Sequence, residues 1–386
     1  MPCPDYQGNS LVNLMSSLSS AMGKVVNNYP VLESLSVDRL ANNRNIILLV
    51  IDGLGYEYLL KHGQGSCLHD HIAGKMTSVF PSTTATAITT FMTGLAPQQH
   101  GLTGWFTYLK ELGCITAVLP FKPRVGMSNF NPEHLDANSL YGHTPIFDLL
   151  PWTSYVVAPE WIIHSEYNVA HSGAALLHGY NNLSECFNNI QSIVNSTDEH
   201  KYIYAYWPDF DRYSHETGCT SSKVHSHFAE LDAEFDSLLK KLAGTDTSII
   251  VTADHGFIDT APDRIIHLHD HPIIQESLVM PLSGEPRAAY CYVHPGKENQ
   301  FIDYIKSELE DCIILKPSQT VLDEGYFGIG ESHPKLHERI GHYTLLMKDN
   351  FIIKDQLVGE RAFAHIGVHG GVSSQEMYVP LIYASC

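Results

Sequence analysis

The sequence predicts an α/β fold, a mostly parallel sheet with helices on both faces, and three observations predict it. Short apolar runs alternate with longer amphipathic ones along the chain, the pattern of a parallel sheet covered on both sides. Several short runs are almost wholly apolar, as strands buried on both faces must be. Asp52, Asp211 and Asp254 each fall at the end of such a run or a few residues beyond it. Ligand sites in open α/β sheets form outside the carboxyl ends of the strands.

Taken in order, Asn45–Ile51 reads Asn-Ile-Ile-Leu-Leu-Val-Ile, a buried strand. Tyr155–Ala158 and Tyr202–Tyr206 are two more strands, and Ser248–Thr252 is a fourth. The stretch Phe80 to Thr90 is a loop passing into a helix that ends near Gly94. Phe228–Leu242 has helical spacing, with Phe228, Leu231, Phe235, Leu238 and Leu242 on one face. Ser10–Met22 and Leu183–Val194 are further helices. Two regions break the alternation: Trp105–Asn138, rich in Gly, Pro and aromatics, and Asp259 to about Tyr343, with short strands and a helix near Phe301–Leu309. Both read as insertions that cap the site and choose the substrate. The expected organisation is a catalytic core of 1–258 and 344–386 with 259–343 inserted.

Bulk properties narrow the function. The 386 residues are 44% apolar and 17% charged, and no apolar stretch reaches the ~20 residues that span a bilayer. The start, Met-Pro-Cys-Pro-Asp, lacks the basic segment and apolar core of a signal peptide. Eight cysteines without a CxxC pair read as reduced thiols, so a cytoplasmic protein is expected. A net charge of −19 disfavours nucleic-acid polymers as partners. It suits a small phosphate substrate once bound divalent cations set the local field. There is no GxxxxGK[ST], GxGxxG or GxSxG pattern, which removes P-loop, dinucleotide and serine-hydrolase readings. Oligomeric state leaves no readable trace.

The chemistry lies in five separated stretches. Asp52-Gly53 ends the first strand, where a glycine lets backbone approach whatever the carboxylate holds. Thr84 sits where loop becomes helix; an ordinary helix cap is the bland reading. A hydroxyl there lies in the helix dipole field, and a metal makes it a covalent nucleophile. Ser82, Thr83, Thr86 and Thr89 compete for that role. Asp211 and His215 share a helical face at i and i+4, with Asp209 as competitor. Asp254-His255-Gly256 follows a strand directly, and His369-Gly370-Gly371 repeats the style downstream. Carboxylate and imidazole hold Zn²⁺ or Mn²⁺, and two such ions about 4 Å apart clamp a phosphate ester. His267, His269 and His271 alternate in the insertion and read as polar surface or pocket wall, as do His333 and His337.

These motifs in this order resemble the alkaline phosphatase superfamily, and within it the bacterial type I phosphodiesterase/nucleotide pyrophosphatase family. The resemblance runs from Ile46 through Pro380. It rests on Val79 to Ala87, Thr93-Gly94-Leu95 with His100-Gly101, Gly284-Glu285-Pro286-Arg287, and His369 to Val372 with Glu376-Met377. It implies the three-layer αβα core of that superfamily, with a capping insertion. It implies two Zn²⁺ ions, Mn²⁺ being the alternative: Asp211, His215 and His369 on one, Asp52, Asp254 and His255 on the other. Thr84 is then the nucleophile, bridging towards the second ion through a phospho- or nucleotidyl-threonyl intermediate. The four-residue step to His215 also selects Asp211 over Asp209. One departure stands out: an Asn of the animal-type members, which binds a phosphate oxygen, is replaced here by Trp105. The expected function is hydrolysis of a small phosphodiester or phosphoanhydride. The alternatives are a phosphomonoesterase of the same superfamily and a metal-binding regulatory module without turnover. No Arg or Lys lies between Met76 and Leu109 to hold a dianionic monoester, with Arg124 and Arg212 left as candidates.

Overall fold

The four predicted strands lie side by side in the computed structural model, which describes residues 2–126, 130, 135–360 and 365–386. Asn45–Ile51 pairs in parallel with Lys201–Trp207 on one side and Thr247–Thr252 on the other. Lys201–Trp207 continues in parallel to Thr153–Pro159, and that strand to Leu176–Tyr180. Beyond Thr247–Thr252 lies Tyr378–Ser385, which runs antiparallel to it and to the edge strand Ile72–Thr77. The result is a seven-stranded, mostly parallel sheet. Asn45–Ile51, Lys201–Trp207 and Thr247–Thr252 are buried at every residue, which is why their apolar runs are continuous. Lys201 is the exception that needs partners, and its buried Nζ donates to the carbonyls of Val194 and Thr197 at 2.8 and 2.6 Å.

The helices follow the same economy. Leu11–Ala21 packs against Thr84–Thr93, and Leu183–Val194 against Ser222–Lys241. Thr84–Thr93 stops at Gly94, whose φ of +75° is the left-handed exit glycine adopts without strain. Ser222–Lys241 starts before the first apolar repeat, because Ser221 caps it by accepting from the Val224 N–H.

The two irregular regions meet. A second seven-stranded sheet, antiparallel throughout, takes Phe106–Leu109, Cys114–Ala117 and Lys122–Pro123 from the first region. From the second it takes Ser283–Glu285, Ala288–Cys291 and Ile313–Pro317, and Tyr343–Met347, at the boundary with the expected core, completes it. They join where Gly284 pairs with Phe106. Gly284 has φ +82°, and a Cβ there would stand 2.5 Å from the Ala288 carbonyl oxygen. Residues 127–129 and 131–134 of the first region lie outside the described residues. The predicted helix in the second region is Glu298–Glu308, and its Phe301 and Ile305 enter a separate apolar cluster with Ile313 and Leu345.

Candidate active site

Three adjacent strands, Thr247–Thr252, Asn45–Ile51 and Lys201–Trp207, deliver Asp254, Asp52 and Asp211 to one place at their carboxyl ends. After Lys201–Trp207 the chain turns into the helix Asp209–Thr217. That turn puts His215 Nε2 3.4 Å from Asp211 Oδ1. Gly367–Val368 pairs antiparallel with Ile258–Asp259, just beyond His255. It carries His369 to 3.2 Å from His215 Nε2 and 3.7 Å from Asp211 Oδ1. His255 Nε2 lies 3.3 Å from Asp52 Oδ1, 3.5 Å from Asp254 Oδ2 and 3.9 Å from Asp211 Oδ1. Thr84, first residue of its helix, has its hydroxyl 3.3 Å from His255 Nε2. All seven residues singled out from the sequence therefore converge.

Their competitors do not. Asp209 is tied to Arg212, 3.0 Å from its Nε. Ser82 donates to the Gly371 carbonyl, Thr86 to those of Pro81 and Thr83, and Thr89 to that of Ala85. Thr83 is the N-cap residue, and its side chain makes no capping bond. The first-turn N–H groups behind Thr84 thus keep their affinity for an anion.

The polar atoms divide into held and unheld. Asp52 Oδ2 accepts from the Tyr206 hydroxyl, and Asp254 Oδ1 accepts from the N–H groups of Gly53 and His255 at 3.0 and 2.9 Å. Asp52 Oδ1, Asp254 Oδ2 and Asp211 Oδ1 are buried without any hydrogen-bond donor. The Nδ1 atoms of His215, His255 and His369 lie 2.8, 3.0 and 3.3 Å from the carbonyls of Gly367, Gly256 and Ser82. Donation there fixes the tautomer and turns each Nε2 lone pair inward. Three unheld carboxylate oxygens and three Nε2 atoms thus face one another. Buried polar groups left so are costly, and this is the donor set a divalent cation satisfies. Asp52, Asp254 and His255 form one compact group, and Asp211, His255 and His369 another.

Electrostatics agrees. Burial, then Asp211 and Asp254, pushes the Asp52 carboxyl well above its ordinary range. Burial pushes Asp211 up to about 7. It holds His215 down to about 4, and with His255 and His215 it holds His369 well below its usual value. Both signs mean that the protein alone does not stabilise charge here, and a bound cation reverses the balance for the carboxylates.

His267, His269 and His271 stand apart. The rings of His267 and His269 are 5.3 Å apart and His271 Nδ1 meets the Tyr304 hydroxyl. Among the described residues, the only groups compact enough for an ion are the two at the strand ends. His337 is exposed. Sequence reasoning assigned no role to Tyr206, Lys354 or His365, and named Glu285 only within the Gly284–Arg287 stretch of the resemblance. Tyr206 had one available signal, the alternation Tyr202, Tyr204, Tyr206 along a strand ending beside Asp52. Glu285 is buried, accepts from the Trp105 N–H, and is pushed by burial up to about 7.

The family model for type I phosphodiesterase / nucleotide pyrophosphatase matches residues 46–371. Murine ectonucleotide pyrophosphatase / phosphodiesterase 5 superposes with a TM-score of 0.65 at 18% identity, over 87% of each chain. An inactive threonine-to-alanine variant of it, in complex with AMP, superposes with a TM-score of 0.65 at 17% identity, over 87% of each chain. Phosphonoacetate hydrolase from Sinorhizobium meliloti 1021, in complex with phosphonoformate, gives 0.63 at 17% identity, over 89% of this chain and 90% of that one. At these identities the structures establish a shared fold.

Proposed function

The chain belongs to the type I phosphodiesterase / nucleotide pyrophosphatase family, and on that premise we propose a two-metal hydrolase of small phosphodiesters or phosphoanhydrides with Thr84 as nucleophile. The supporting observation is the unheld set of three carboxylate oxygens and three Nε2 atoms beside the Thr84 hydroxyl. Asp211, His215 and His369 would hold one Zn²⁺, and Asp52, Asp254 and His255 the other, with Mn²⁺ as the alternative. When bound, the ions neutralise phosphate charge and lower the pKa of nearby hydroxyls.

The chain's own residues do the rest. The Thr84 hydroxyl gives up its proton to solvent and Oγ1 forms a bond to phosphorus as the bond from phosphorus to the leaving oxygen breaks. The leaving group departs with a proton taken from solvent. Water then attacks the phospho-threonyl ester, breaks the bond to Oγ1 and returns a proton to Thr84. First-turn N–H groups supply the oxyanion contact that the family's Asn would make, since Trp105 stands in its place. Inactivity of the murine relative's threonine-to-alanine variant supports a threonine of this kind.

A monoesterase is the second reading. Lys354 lines the cavity that Thr84 and His369 share, with Glu285 on the same wall, a place from which a cation meets a dianion; Arg212, on the other side, is paired with Asp209 and Glu216. Turnover of bis-p-nitrophenyl phosphate against p-nitrophenyl phosphate, on zinc-loaded wild type and Thr84→Ala, decides. Diester preference that vanishes in the variant supports the proposal, and monoester preference selects the second reading. No turnover with two ions bound overturns both in favour of a binding module. Eight free cysteines support a reducing, cytoplasmic location.

A further inference from the structure

Two cavities open from the same point. Thr84, Asp211 and Trp105 line both of them and mark their junction. On one side the cavity, of about 350 Å³, carries Glu285, Lys354 and His365. On the other it is larger, about 440 Å³, and its wall includes Ile88, Met92, Leu119, Ile162 and Trp161.

We propose that the larger cavity receives an uncharged apolar arm, alkyl or aryl, of an asymmetric phosphodiester, while the polar arm lies towards Lys354. This rests on the phosphodiesterase reading above. Several polar side chains of the larger cavity are committed within the protein, the Tyr204 hydroxyl being an exception. The Tyr167 hydroxyl bonds Thr89 Oγ1 at 2.7 Å, and Asn168 Nδ2 donates to the Ile163 carbonyl at 2.8 Å. Ser165 caps the Asn168 N–H, Tyr206 holds Asp52, and Asp209 with Arg212 closes on itself at the rim. The Tyr204 hydroxyl is buried with no partner. A nucleobase would find few edges to read it, since readers must have free donors and acceptors. An apolar arm needs only surface to cover. Trp161 is 77% exposed on this cavity's wall, a large apolar area that an entering chain would cover. Trp105 in place of a small amide extends the same surface to the nucleophile.

The test uses glyceryl alkyl phosphate diesters with methyl, butyl and octyl arms, and the methyl ester of adenosine 5′-phosphate, on the metal-loaded full chain, with products read by mass spectrometry. The expected kcat/KM rises at least tenfold from methyl to octyl, because each buried methylene is worth about fourfold. The octyl ester also outruns the nucleotide ester. Ile88→Asp and Trp161→Ala lower the octyl-to-methyl ratio. Phenyl in place of octyl separates aryl from alkyl. A flat or falling series, or a nucleotide ester hydrolysed best, overturns the inference and leaves the phosphodiesterase standing. Hydrolysis of none of these diesters, with bis-p-nitrophenyl phosphate also inert, overturns the phosphodiesterase itself.

Discussion

The Tyr206 hydroxyl donates to Oδ2 of Asp52 and leaves Oδ1 buried, unheld and 3.3 Å from His255 Nε2. One bond therefore decides which oxygen of the carboxylate faces the ion site. Partners of this kind typically change metal affinity by 10- to 100-fold when removed. Tyr206→Phe is expected to weaken one of two zinc affinities by about that factor in a chelator competition titration. Equal affinities would mean that packing alone orients Asp52.

Metal removal should cost stability as well as activity. A ligand bound at a hundred times its dissociation constant adds about 2.7 kcal/mol per site. Chelation should lower the Tm by several degrees, with recovery on adding zinc. In Thr84→Ala the same shift should persist, since the six other donors remain.

Arg287 and Glu376 form a buried pair, with Nε and Nη2 at 2.9 and 2.7 Å from the two carboxylate oxygens. Glu376 also accepts from the Gly371 N–H at 2.8 Å, two residues from His369. Removing one member of such a pair costs about 3–5 kcal/mol. Arg287→Ala should show that loss in urea unfolding, together with weaker metal binding. Loss of stability with unchanged affinity would show that the His369 loop keeps its place without the pair.

A second titratable group gives a pH prediction. His171 Nδ1 lies 2.7 Å from the Tyr167 carbonyl, and its Nε2 lies 2.6 Å from His143 Nε2. His100, His333, Arg339, Tyr141 and Tyr167 surround the pair. Burial holds His171 down to about 4. Between about 6.5 and 4 the unfolded chain binds a proton that the folded one refuses. Stability is therefore present above 6.5 and falls as pH drops towards 4, by roughly 3 kcal/mol from this group. His171→Phe should flatten that slope in urea titrations at pH 4.5, 5.5 and 6.5. An unchanged slope would assign the acid sensitivity elsewhere.

What was legible follows from what acts locally. Asn45–Ile51 and Thr247–Thr252 declared themselves because burial on both faces forces continuous apolar runs, and Asp52 and Asp254 followed from their ends. Tyr378–Ser385 was not legible: it carries Pro380 and runs against its neighbours. Ile72–Thr77, an edge strand, alternates between half-buried and exposed residues over its first four positions, and only Met76 and Thr77 are buried. Tyr206 was hidden because only sheet order decides which of three alternating tyrosines meets Asp52. The two irregular regions join through the ladder pair Gly284–Phe106 and contacts beside it such as Trp105 N–H to Glu285 and Arg124 to the Leu282 carbonyl, all far apart in sequence and without a local pattern.

The position of Tyr378–Ser385 bears on when the site exists during biogenesis. This strand lies inside the main sheet, between Thr247–Thr252 and Ile72–Thr77, and His369 precedes it by a loop and the short helix Ser374–Met377. A nascent chain can order Asp52, Thr84, Asp211, His215, Asp254 and His255 and still lack the last imidazole. Long-range pairings of this kind form late. A metal centre at these strand ends would therefore be completed late in folding, when the His369 segment docks.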